Sequence, residues 1–251
     1  MKYFLDTEFL EGTQKTFLGK TKPTIDLISI GLVCENGDKY YAISKDFNIK
    51  EAWNRYDLVS MSNKGGIGDT PIQKKVYWIR ENVLKPIFED WKAERILLSD
   101  RPEFDYINFK YCIKTIGKTN KQIADEVQEF VNVNKMRSLD VQRSNPEFYG
   151  YFCDYDWTVF CWLFGNMNAL PSGYPMYCVD LKQEMDRIAE FWRVEKEKIG
   201  ETYSFEHCLN ILKQFKQYPK QTNEHNALSD AMWNFELFKF LQFVIQIKNE
   251  Y

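Results

Sequence analysis

The stretch Met1-Lys2-Tyr3-Phe4-Leu5-Asp6-Thr7-Glu8-Phe9-Leu10 decides how the chain is read. Its apolar and aromatic residues predict a short strand over Lys2 to Phe9. Side chains alternate between the two faces of a strand, so Asp6 and Glu8 share one face while Leu5 and Thr7 share the other. Two carboxylates on one face repel each other unless they are protonated or joined by a cation. At an exposed strand end such a pair is ordinary surface. Flanked by Tyr3, Phe4, Leu5, Phe9 and Leu10 it reads as an interior strand, and a divalent cation such as magnesium or manganese is the natural compensation.

Outward from this strand, Asp26 to Cys34 is rich in branched apolar residues and runs into Glu35-Asn36-Gly37-Asp38. Asn-Gly suits a hairpin turn, with Lys39 to Ile43 as the return strand. The pattern is lost from Tyr56 to Pro71, where Asn63 to Asp69 has the glycine density of a loop without the order of a phosphate-binding motif. Val76, Ile79, Val83 and Ile87 give helical spacing over Ile72 to Trp91, with Pro86 placed to bend the last turns. Ile96 to Ser99 is short enough for a buried strand, and Asn120 suits the start of a helix through about Phe130. Glu147 to Cys153 reads as a strand entering a helix from Tyr155 to Phe164. Met176 to Val179 reads as a further strand, followed by helices from Asp180 through Phe191, from Ser204, and from Ala227 to Ile247. Strands alternating with helices predict an α/β layer architecture.

Composition narrows the class. With 251 residues, 44% hydrophobic and 16% aromatic, the chain can bury a large core and is expected to form one domain. The formal charge is -3, from 33 Lys plus Arg against 36 Asp plus Glu, so no global positive field draws in phosphate. A nucleic-acid partner then needs a local basic path and bound cations. The six cysteines are dispersed without a CxxC pair. No apolar run is long enough to span a bilayer, and the start reaches an acid at Asp6. A cytoplasmic protein, without a membrane partner, is expected.

Two further acids stand out. Asp156 falls at the strand-to-helix transition in Tyr151-Phe152-Cys153-Asp154-Tyr155-Asp156, where capping is the plain reading and Asp154 competes for the same role. Asp230 lies in the first part of the last helix, behind His225, one of only two histidines. An imidazole is suited to proton transfer near neutral pH, although a lone histidine before a helical acid is more often surface.

Taken in order, these residues resemble the motifs of the DEDDh branch of the DnaQ-like 3′-5′ exonucleases, within the ribonuclease H-like fold, and look most like its compact bacterial and phage exoribonuclease-like members. Phe4-Leu5-Asp6-Thr7-Glu8-Phe9 is similar to the first motif, Tyr155-Asp156-Trp157-Thr158-Val159-Phe160 to the second, and His225-Asn226-Ala227-Leu228-Ser229-Asp230-Ala231 to the third. The DxE match is weak alone; the five residues in order are a specific signal spanning most of the chain. The segment from about 56 to 145 is longer than a minimal core of this kind needs.

The resemblance implies a mixed β-sheet flanked by helices. It also implies two divalent cations, Mg2+ or Mn2+, held by Asp6, Glu8, Asp156 and Asp230 about 4 Å apart, with His225 as general base. The implied substrate is the 3′ end of single-stranded RNA, with DNA as the close alternative, and the implied product is a nucleoside 5′-monophosphate. A noncatalytic nucleic-acid-binding protein of the same fold is the reading from another class. For substrate contact, Phe9, Leu10 and Trp157 are candidates to meet a base, against ordinary core packing. Lys15, Lys20 and Lys22 are candidates to meet phosphate, against a solvated loop. A homodimer is allowed, with the central segment or last helix as the contact.

Overall fold

The computed structural model describes residues 1–15, 19, 21–61, 72–94, 102–137 and 145–250. In chain order the strands are β1 (Lys2–Lys15), β2 (Thr21–Cys34), β3 (Lys39–Ile43), β4 (Asp57–Met61), β5 (Ile72–Val76), β6 (Glu147–Gly150) and β7 (Val179–Asp180). The helices are α1 (Ile49–Asn54), α2 (Lys85–Ala93), α3 (Tyr106–Ile116), α4 (Asn120–Arg137), α5 (Asp154–Leu163), α6 (Leu181–Lys198), α7 (Phe205–Gln214) and α8 (Ala227–Glu250). Five strands form one mixed sheet in the order β3-β2-β1-β6-β7, with helices flanking it, consistent with a ribonuclease H-like fold.

The sheet begins with the strands the sequence predicts, but β1 runs on past Phe9 to Lys15 and β2 starts at Thr21, ahead of Asp26. Between β2 and β3 the chain reverses at Asn36-Gly37, where Gly37 takes φ 93°, Cys34 N–H donates to Asp38 O at 2.8 Å, and Asn36 Oδ1 accepts from Asp38 N–H at 2.9 Å. A positive φ of this kind is what glycine supplies without strain. On the other side β1 pairs in parallel with β6, Lys2 opposite Glu147 and Phe4 opposite Tyr149. Strand β6 pairs in parallel with β7, Gly150 opposite Asp180. Three parallel strands therefore present their carboxyl ends on one side, the side on which α/β sheets bind ligands. From those ends α5 and α6 set out, and Asp180 caps α6 by accepting from Lys182 N–H at 2.7 Å and Gln183 N–H at 3.2 Å.

The chain groups into two compact units. The first contains Met1–Thr7, Ser29–Ala42 and Asn120–Tyr251. Its core gathers Phe4, Val33, Leu181, Met185, Leu237, Phe240 and Leu241, all buried. The ring of Phe4 stacks on Tyr149 at 5.4 Å and on Phe235 of α8 at 4.8 Å. The second unit contains Glu8–Ile28 and Ile43–Thr119. There Trp53 packs on Phe104 at 4.8 Å and Phe109 at 5.8 Å, and Phe88 packs on Trp91.

One expectation fails within the second unit. Ile72 to Trp91 is not one helix, because Ile72–Val76 forms β5 and pairs antiparallel with β4, Asp57 opposite Val76 and Met61 opposite Ile72. The spacing of Val76 and Ile79 allowed a helix, but a partner strand was available and its backbone pairing prevailed. Helix starts only at Trp78. Pro86 has no N–H to give, and the turn before it is π-helical over Arg80–Leu84, with Lys85 N–H reaching back to Arg80 O.

Elsewhere β6 stops at Gly150, before Cys153, and of the strand expected over Met176 to Val179 only Val179 is paired, in a β7 that runs on to Asp180. The expected strand at Ile96 to Ser99 and the glycine-rich stretch Asn63 to Asp69 lie outside the described residues. No described helix is long and apolar enough to cross a membrane. None of the six cysteines is in a disulfide.

Candidate active site

Strand β1 carries Asp6 and Glu8 on one face, and α8 is brought to that strand by two local devices. The first is a close approach between backbones. A Cβ on Gly31 of β2 would overlap the carbonyl of Ala227, the first residue of α8, so only glycine lets the helix start this near the sheet. The second is the side chain of Asn234, buried in α8, whose Nδ2 donates to Leu5 O at 2.9 Å. Leu5 precedes Asp6, and Asp230 stands one helical turn before Asn234.

The consequence is a cluster. Asp6, Glu8 and Asp230 each offer a carboxylate oxygen, and these atoms all lie within 4.8 Å of one another. Three carboxylates this close cannot all ionise without a compensating positive charge. An all-oxygen donor set of this charge suits a hard divalent cation such as Mg2+ or Mn2+ rather than a soft metal.

Asp230 is buried and held at both oxygens. Gln221 Nε2 donates to Oδ1 at 2.7 Å and the backbone N–H of His225 donates to Oδ2 at 2.9 Å. Burial raises its pKa above the usual aspartate value, and the bonds from Gln221 and His225 oppose that rise. To make its bond, His225 adopts φ 65°, an uncommon conformation for a residue with a side chain. Asn226 then opens α8, its Oδ1 accepting from Ser229 N–H at 3.1 Å.

Asp156 enters differently. Its carboxylate does not cap α5, as the simplest reading of the sequence had it. One oxygen, Oδ1, accepts from Thr7 N–H at 2.8 Å and from the Thr7 hydroxyl at 2.6 Å. Register pairs between β1 and β6 run from Lys2 to Phe4, so Asp156 takes up a β1 amide beyond the reach of β6. Burial pushes its carboxyl up to about 6, against the lowering effect of Thr7 and with a further push from Asp180. Asp154, its neighbour, is exposed. Three of the sequence-predicted residues thus meet at one cluster, Asp156 is tied to the strand between two of them, and His225 holds the third through its backbone.

The chain is similar to two curated exoribonucleases. Both come from Mycobacterium tuberculosis, strains CDC 1551 / Oshkosh and ATCC 25618 / H37Rv, and both are named 3′-5′ exoribonuclease. Each is 26% identical to this chain over 187 residues, covering 73% of this chain and 73% of the relative. No protein-family profile matches the chain.

The candidate substrate contacts divide. Leu10 is fully buried, and Trp157 is buried with its ring stacked on Phe160 at 5.0 Å and beside Phe148, so both pack in the core. Phe9 is partly buried and Lys22 is exposed. Lys20 and the side chain of Lys15 lie outside the described residues.

Sequence reasoning passed over four residues that build the site. Thr7 was only the middle of a DxE motif, and Gln221 had no motif at all. Asn234 left one signal, a polar residue interrupting an apolar helix face. Asp180 was read as a helix start, yet its Oδ2 also accepts from Cys153 N–H at 3.2 Å, joining the starts of α5 and α6.

Proposed function

We propose that this chain is a divalent-metal-dependent 3′-5′ exoribonuclease of the DEDDh type that hydrolyses single-stranded RNA to nucleoside 5′-monophosphates. The observation that carries the reading is the meeting of Asp6, Glu8 and Asp230, drawn from opposite ends of the chain, within 4.8 Å. The names of the two distant relatives support the same activity.

Asp6, Glu8 and Asp230 would hold the cations, and Asp156, which stands outside that cluster with its Oδ1 bound to Thr7, would complete the acidic set. Bound there, divalent ions supply polarisation of the attacking water and neutralisation of charge on the phosphate. The imidazole of His225 accepts the water proton, which requires its neutral form. Water oxygen bonds to phosphorus, the bond from phosphorus to the 3′ oxygen of the preceding nucleotide breaks, and that oxygen takes a proton from solvent to become the new 3′ hydroxyl. The released nucleotide keeps a 5′-phosphate.

The test compares one sequence as 5′-labelled RNA and DNA, each with a free or blocked 3′ end, with magnesium or manganese and with chelator. Stepwise metal-dependent shortening of RNA from a free 3′ end is expected. Faster shortening of DNA transfers the assignment to a DNA exonuclease. Tight binding with no hydrolysis under supplied metal makes the protein a noncatalytic binder, and cleavage indifferent to the 3′ block rejects the polarity.

A further inference from the structure

Three residues other than glycine take a positive φ among the described residues: Asn223 at 56°, His225 at 65° and Phe152 at 54°. Asparagine tolerates this conformation, and His225 uses it to hold Asp230. Phe152 has neither reason. A bulky aromatic side chain is a poor occupant of a left-handed position, and turns at Gly37, Gly165 and Gly173 in the same chain use glycine there. The ring gains little burial in return, since 64% of Phe152 is exposed. Strain at an exposed aromatic residue points to use of the ring.

Its position says what for. Phe152 directly precedes Cys153, the N-cap of α5, and Asp156 lies in the first turn of that helix, four residues on. Its ring meets Tyr151 edge-on at 4.8 Å, and Tyr151 meets Trp233 edge-on at 5.1 Å. Trp233 lies on α8 one turn beyond Asp230. Phe152 thus stands at one end of an aromatic row whose other end, Trp233, lies three residues beyond Asp230 on α8. The ammonium of Lys182, ion-paired with Asp186, lies 5.7 Å from its ring centroid.

We propose that Phe152 is a stacking platform for one nucleobase of the bound strand, close behind the nucleotide whose phosphate reaches the acidic cluster. The inference rests on the nucleic-acid reading above and deepens it by naming a contact. Base stacking is tolerant of sequence, which suits an enzyme that steps along a strand. The left-handed backbone turns the ring outward at the end of β6 instead of into the core.

The test is binding of fluorescent single-stranded RNA by anisotropy, with calcium in place of magnesium to slow cleavage, for the unmodified protein, Phe152→Asn and Phe152→Trp. Asparagine accepts the left-handed backbone, so the Phe152→Asn protein is expected to melt no lower than the unmodified one while binding RNA about tenfold more weakly. Phe152→Trp restores affinity. Oligonucleotides with a single abasic site at each of the last few positions then locate the stacked base. At one position the missing base weakens the unmodified protein about tenfold and leaves Phe152→Asn unchanged. Equal binding by the two proteins, or the same abasic profile in both, overturns the proposal while the exoribonuclease reading stands. Failure of the unmodified protein to bind any strand overturns both.

Discussion

Thr7 gives both its backbone N–H and its hydroxyl to one oxygen of Asp156, at 2.8 and 2.6 Å. The carboxylate is thereby fixed in direction by the strand that carries Asp6 and Glu8. Thr7→Val keeps the branched shape and the N–H but loses the hydroxyl. Stability is expected to fall by about 1 kcal/mol, the usual net worth of one hydrogen bond. Turnover is expected to fall about tenfold at limiting magnesium and to recover partly at high magnesium, because a loosened Asp156 weakens ion placement more than it alters the reaction. Thr7→Ser restores both. The check is a magnesium titration of kcat for the three proteins, and identical titration curves would exclude this role.

Burial of Asp156 makes a second prediction, for the metal-free protein. Its carboxyl is pushed from an ordinary 3.8 up to about 6, so the folded chain holds this proton more tightly than the unfolded chain does. The stabilisation is therefore complete below about pH 4 and lost as pH rises through 6. Asp156→Asn never ionises, and its amide oxygen still accepts from Thr7. In chelator its Tm is expected to exceed that of the unmodified protein above pH 6, on the order of 2 kcal/mol of stability, with the gain gone near pH 4. Melting curves from pH 4 to 8 measure it; a pH-independent difference would contradict the cause given.

Gly31→Ala addresses the approach of α8 to the sheet. The new methyl overlaps backbone atoms of Ala227 and Leu228, which cannot swing aside as a side-chain tip can. A loss of roughly 1–3 kcal/mol is expected, the usual effect of overpacking. Specific activity of the folded protein should fall as well, because the displaced segment includes His225 and Asp230. Normal activity in a destabilised but folded variant would show that α8 keeps its place by other contacts.

How much of this was legible in the sequence depends on the range of each interaction. The shared face of Asp6 and Glu8 follows from strand alternation, and the Asn36-Gly37 reversal follows from local turn chemistry. The start of α7 at Ser204 follows from a side chain accepting from His207 N–H three residues on. Such features need only neighbours. The strand Ile72–Val76 was missed because its partner, Asp57–Met61, was itself too short and irregular to announce a strand. The bonds that build the site lie further out: Thr7 and Asp156 are 149 residues apart, and Asn234 and Leu5 are 229 apart. No local pattern encodes which distant oxygen a buried Thr or Asn will meet, so the acids were visible and their supports were not.

The last prediction separates the two tasks given to His225. Its imidazole is proposed to accept the water proton, whereas its backbone N–H, presented at φ 65°, holds Oδ2 of Asp230 at 2.9 Å. Alanine at this position removes the ring and also resists the left-handed backbone, so it disturbs Asp230 and the acidic cluster along with the base. Glycine removes the ring but adopts the same φ without strain. Both variants are expected to lose turnover by about 10²–10⁴-fold, the usual contribution of a positioned general base. They should differ in metal affinity, with His225→Gly binding manganese nearly as the unmodified protein does and His225→Ala binding it more weakly. Added imidazole is expected to restore part of the activity of His225→Gly, increasing as pH rises through the imidazole pKa, because only the neutral form accepts a proton. Manganese titration by calorimetry and single-turnover cleavage with and without imidazole provide the measurements. Equal metal affinity in both variants would mean that the backbone of residue 225 does not place Asp230. Turnover near normal in His225→Gly would mean that another group takes the proton.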